Sequence, residues 1–278
     1  MTRSIKMVRA WASAAVLGAA FSAAQGAFVT LTDLNSTANF RTQASDAGSP
    51  KGNYDWFVDG VDQLKQQWFW YRLSPTAPEV RVDTLNHVGF IASDGNFNPG
   101  SDRLVVRYTH PVFQMDLDFI LAGGTGVPAF SDMAEQIRIT NTTQSPITFT
   151  LFQYADFDLT GTPNDDTIQI VNANAVRMSD PFTSVQETIV TPAPSRYTVG
   201  NAAALFAALE DATPTTLDNN AGPYVGDAAW AFQWDFVIPA GGTVLVSKDK
   251  QLIVVPEPAS LSLLGLAAGL ILRRRRTA

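Results

Sequence analysis

The sequence predicts an all-β protein, an antiparallel β-sandwich with one or two short helices. Three observations carry this expectation. Apolar and polar residues alternate with period two through the middle of the chain, the pattern of strands that bury one face. Clusters of Asn, Asp, Gly and Pro punctuate these runs at turn spacing. Only one stretch carries clear helix signals. Many short strands with little helix bury their apolar faces best as two packed sheets.

A short helix is expected around Val61 to Gln67. Trp68-Phe69-Trp70-Tyr71-Arg72 then forms the densest aromatic patch; as a strand it sets Trp68 and Trp70 on one side and Phe69 and Tyr71 on the other. Leu104 to Thr109 is the next strand, and His110-Pro111 reads as a turn. Met115, Leu117, Phe119 and Leu121 face inward, with Gln114, Asp116 and Asp118 outward. Ile137 and Ile139 alternate with Arg138 and Thr140, and Ile147, Phe149 and Leu151 follow a polar stretch. This pair is expected to form a hairpin with a long loop. Further strands are expected at Thr167 to Val171, Ala175 to Met178 and Val185 to Val190. Ala202 to Glu210 reads as helix, with Asn201 placed to cap it and Pro214 beyond its end. Trp230, Phe232, Trp234, Phe236 and Ile238 give the cleanest alternation, and a last strand runs from Thr243 to Val255. Thr191 to Ser195 and Asp211 to Tyr224 read as surface connections. No internal boundary interrupts residues 25–255, which are expected to form one domain.

The flanks are of another kind. Residues 1–24 hold Arg3, Lys6 and Arg9, then an apolar stretch from Ala10 to Ala20, then small residues; that is the order of a secretory signal peptide, with Ala24 as the expected cleavage position. Residues 256–278 begin with Pro256-Glu257-Pro258, continue as an apolar run from Ala259 to Leu272, and carry Arg273, Arg274, Arg275 and Arg276. The prolines hold Glu257 in an extended, exposed tripeptide. As a helix at about 1.5 Å per residue, the run reaches roughly 21 Å, against a hydrocarbon core of about 30 Å. The expectation is a short transmembrane helix suited to temporary retention. Four adjacent arginines keep their end cytoplasmic and place the body across the membrane.

This tail resembles the PEP-CTERM sorting signals of Gram-negative bacteria. The resemblance implies processing at Pro256-Glu257-Pro258 by an exosortase, a membrane protease. It also implies delivery to the cell surface or an extracellular polysaccharide matrix. Implied partners are signal peptidase, the exosortase-type protease, the inner membrane and extracellular polysaccharide.

Charge narrows the role of the body. The chain has 19 basic and 26 acidic residues; without the two flanks 12 basic and 25 acidic remain, a net charge of −13. Such a body repels nucleic acid and anionic lipid. The absence of cysteine excludes disulfides and thiol catalysis.

Candidate chemistry is sparse. His87 and His110 are the two histidines, and neither lies in a nucleophile motif or has a second ligand at zinc spacing. No catalytic residues are assigned. Asp94, Asn96, Asn98 and Asp102 space oxygen ligands like part of a calcium loop, but the sixth-position glycine and terminal glutamate of an EF-hand are missing. The same residues suit a plain tight turn. Asp156 and Asp158, with Asp165 and Asp166 downstream, share a strand end and are a second place for a hard cation such as Ca2+. Paired carboxylates also serve glycoside hydrolysis. Trp68 and Trp70 are sugar-contact candidates if exposed, and core if buried. The expected function is a noncatalytic structural or surface component of the envelope. The alternatives are a carbohydrate-binding module or a calcium-assisted polysaccharide hydrolase. No cofactor other than calcium is expected.

Overall fold

A computed structural model describes residues 28–44 and 51–255. The expected signal helix and Ala24, the transmembrane helix, Pro256-Glu257-Pro258 and Arg273 to Arg276 lie outside the described residues. Among the described residues no helix is long and apolar enough to cross a membrane.

Among the described residues eighteen strands form in order: β1 (Phe28–Asp33), β2 (Ser36–Arg41), β3 (Gly52–Val58), β4 (Val61–Asp62), β5 (Leu64–Arg72), β6 (Val80–Arg81), β7 (Asn86–Ser93), β8 (Arg103–His110) and β9 (Phe113–Gly124) make the first half. The second half holds β10 (Ala129–Asn141), β11 (Ile147–Phe157), β12 (Thr167–Asn172), β13 (Ala175–Ser179), β14 (Thr183–Thr191), β15 (Arg196–Asn201), β16 (Tyr224–Val225), β17 (Ala228–Ile238) and β18 (Thr243–Val254). Among the described residues one α-helix, α1 (Ala202–Glu210), and two single 3-10 turns accompany these strands.

The strands make two antiparallel sheets. The first runs β1-β2-β3-β5-β11-β17-β15, with β4 on β3 and β6 on β5; the second runs β16-β12-β13-β14-β18-β10-β9-β8-β7. Aromatic side chains join them. Phe40 meets Phe119 at 4.8 Å between ring centroids, and the Trp56 indole donates to Ser131 Oγ across the gap at 2.8 Å. The sandwich expectation therefore holds, and the inward face of β9 (Met115, Leu117, Phe119, Leu121) is buried as read.

Three local expectations are corrected. Residues 61–67 are strand, not helix, because they pair with β3 and β11. Residues 137–139 and 147–151 do not form a hairpin: β10 lies between β9 and β18, whereas β11 lies in the other sheet between β5 and β17. The polar stretch carries the chain from one sheet to the other, pinned by Asn141, whose amide donates to three carbonyls. Trp68 and Trp70 are both fully buried, so they are not a surface sugar platform. Trp68 stacks near Phe119, and Trp70 sits under α1, its indole donating to Glu210 at 2.9 Å. Gly52, at φ +65°, leaves room for Trp68; a Cβ there would lie 2.3 Å from the ring.

Helix α1 forms where its signals place it, and the Asn201 side chain accepts from the Ala204 N–H at 3.0 Å. Together with the Asp211–Pro223 segment it roofs the centre of the first sheet. Tyr154 donates to the Ala202 carbonyl, and the Leu217 N–H donates to Gln233. This third layer explains why β17 is buried on both faces from Ala228 to Trp234.

Candidate functional site

The Asp94–Asp102 loop does not gather ligands. Asp94 and Asn96 use their side-chain oxygens on the N–H groups of Asn96 and Asn98, and Asp102 accepts from Gly95. Asn96 and Asn98 turn their amide donors toward Asp33. This is Asx-turn geometry, so the turn reading replaces the calcium loop. The histidines are also structural. His87 contacts the Thr42 hydroxyl and the Tyr108 ring, and His110 accepts from Val112 while stacking on Phe113.

The second acidic cluster is brought together. Asp156 is the penultimate residue of β11, Asp158 follows the strand before a 3-10 turn at Leu159–Gly161, and Asp227 stands in the turn into β17. Pairing of Asp156 with Ala229 carries Asp227 to the same place. One carboxylate oxygen from each lies within 4.8 Å of the others. Asp156 accepts from the Tyr154 hydroxyl at 3.0 Å through Oδ2, while its buried Oδ1 has no hydrogen-bond partner. Burial first, then the charges of Asp158 and Asp227, push Asp156 up to about 7, against the easing effect of Tyr154 and Lys65. Burial likewise raises Asp158, with Lys65 opposing. Asp166 is fully buried, and neither carboxylate oxygen has a hydrogen bond of normal geometry. Burial, eased by the nearby Leu159 N–H and reinforced by Asp165 and Asp180, lifts it to about 8. The spacing of Asp156 and Asp158 was readable in the sequence. Asp227 was not, because nothing local marks one aspartate in a Gly-Asp turn.

A second arrangement had no expectation attached. Between the sheets Glu135 of β10, Glu187 of β14 and Lys248 and Lys250 of β18 are all buried. Glu135 holds both lysines at 2.5 Å, and Glu187 lies 3.0 and 3.2 Å from them. The first sheet closes the cluster: Gln67 donates to Glu135, and Gln153 and Trp230 donate to Glu187. The available signal was the strand period, which puts Val246, Lys248, Lys250 and Leu252 on one face.

A half-open hollow of about 240 Å³ is lined by Arg72, Thr148, Thr150 and Asp235 among others. Arg72 and Asp235 each already have partners within the chain, although the Arg72 Nε donates to none of them. Arg72 binds Glu79 and the Thr215 carbonyl, and Asp235 accepts from Thr150 and Gln233.

The second sheet delivers β18 directly to the tail. Val254 is paired with both Ala129 and Thr183, the Val255 N–H donates to the Phe182 carbonyl, and Pro256 is next. Residues 254–276 match the family profile described as the PEP-CTERM protein-sorting motif. The chain carries a PEP-CTERM sorting signal. The PEP-CTERM signal implies export, transient membrane anchoring and exosortase processing. The body of this PEP-CTERM chain matches no curated protein. Its fold is similar to that of a bacterial glucoamylase complexed with acarbose, with a TM-score of 0.53 and 9% identity over 88% of this chain. The chain spans 35% of that enzyme's length. A putative aldose 1-epimerase from Escherichia coli K12 gives 0.48 at 9% identity, covering 82% of this chain and 99% of that one. A galactose mutarotase-like protein from Lactobacillus casei ATCC 334 gives 0.46 at 8% identity, covering 81% and 99%. At this identity the likeness to the glucoamylase is one of fold.

Proposed function

We propose that this protein is an exosortase substrate whose body serves as a noncatalytic structural component of the cell surface or extracellular matrix. The observation that carries the reading is the sorting motif at residues 254–276, fused to the end of a central strand. Three features of the body support it. Both histidines are held in packing roles, the aromatic patch is core, and the charged groups of the hollow are engaged internally. The acidic body, at net −13, stays soluble and unattached to anionic surfaces once released.

The test is the fate of the native protein. Intact mass and cell fractionation should find a released body lacking the signal peptide and the tail. Replacing Pro256, Glu257 and Pro258 together with alanine should leave the full body in the membrane fraction. Release of the triple variant at the wild-type level would overturn the reading.

A further inference from the structure

We propose that Asp156, Asp158 and Asp227 form a calcium site that ties together two separate segments, the end of β11 and the turn into β17, at one end of the sandwich. The inference goes beyond sorting: it concerns what holds the exported body in shape outside the cell.

The cluster itself is the first observation. Three carboxylate oxygens lie within 4.8 Å of one another. Oxygens bound to one calcium at about 2.3–2.6 Å can lie at most about 4.6–5.2 Å apart, so these three can reach a single ion together. Three aspartates offer up to six oxygens, close to calcium's requirement, and water can complete the shell.

The second observation is independent of that spacing. Asp156 is only 8% exposed, and its Oδ1 accepts no hydrogen bond. The turn that carries Asp227 is held in place beside it, where the Asp166 carbonyl accepts the Gly226 N–H. Buried polar atoms normally have partners, and a buried carboxylate without one is costly. A divalent cation resolves this with no further protein donor. The nearby cationic side chain, Lys65, is exposed to solvent and supplies only a screened charge.

The experiment uses the full-length chain in detergent, stripped with EDTA and titrated with CaCl2 by calorimetry and thermal melting. One calcium per chain should bind more tightly than magnesium. Calcium about 100-fold above its Kd should raise the Tm by roughly 5–10 °C. Asp158→Asn and Asp227→Asn should each weaken calcium binding at least about tenfold. In EDTA, Asp227→Asn should melt at or above the wild type, because one repelling charge is gone. Three outcomes would overturn the site. One is a folded chain that neither binds calcium nor shifts its Tm at about 10 mM, well above the Kd range of extracellular modules. Another is unchanged affinity in both variants. The third is an Asp227→Asn protein that is less stable in EDTA, which would mark Asp227 as a hydrogen-bonding residue. Failure here leaves the sorting assay untouched, since melting does not read release.

Discussion

Glu187 is the residue on which the interior electrostatics converge. Burial opposes its ionisation, yet Lys248, Lys250 and the donors Gln153 and Trp230 outweigh that and hold it at about 2. Breaking one member of a buried ionic cluster strands the others, which typically costs about 3–5 kcal/mol. Glu187→Gln is therefore expected to destabilise the body by that amount in urea unfolding. Replacing Glu135, Glu187, Lys248 and Lys250 together with apolar residues of similar volume should recover only part of the loss, because Gln67, Gln153 and Trp230 would be left without acceptors. The pH dependence follows from the same residue. Above its ordinary value of 4.5 the ionised Glu187 contributes in full. As pH falls through 4.5 toward about 2, the unfolded chain takes up a proton that the folded one refuses, and that contribution disappears. Asp156 and Asp166 act with the opposite sign, but at higher pH, between the ordinary carboxylate range and their raised values of about 7 and 8. Acid unfolding below pH 4 should accordingly flatten in Glu187→Gln, as followed by circular dichroism.

At the scale of elements, local signals were read well and partners poorly. Helix α1 was legible because its cap, alanine content and stop signal are all sequence-local. Its packing was not legible, although it decides how much α1 contributes. Leu209 is fully buried and should cost about 2–5 kcal/mol on substitution by alanine, measured by thermal or urea unfolding. Residues 61–67 look helical in isolation and become strand because β3 and β11 offer ladders on both sides. Period-two alternation identified β10 and β11 as strands, but it carries no information about which strand lies beside which. The candidate site shows the same division. Asp156 and Asp158 were visible as a pair on one strand end, while Asp227 joins them only through the antiparallel pairing of β11 with β17. Trp68 and Trp70 were recognisable as aromatic anchors, but burial under another sheet and under α1 is a tertiary fact.

For the whole molecule, the last strand and the sorting motif overlap: Val254 is the last residue of β18 and also the first residue of the motif. Just one residue, Val255, stands between β18 and Pro256, and its N–H is bonded to Phe182. The strand that receives the tail is flanked on one side by β10 along its whole length and on the other by β14 from Ser247 to Val254. Any pull on the body through the tail is therefore carried first by β18 and its two neighbours. Two ladders of hydrogen bonds flank that strand and resist the pull in parallel, as a lap joint resists shear. An edge strand would set only one ladder against the same load. The position of β18 makes its junction with the tail the strong end of the tether.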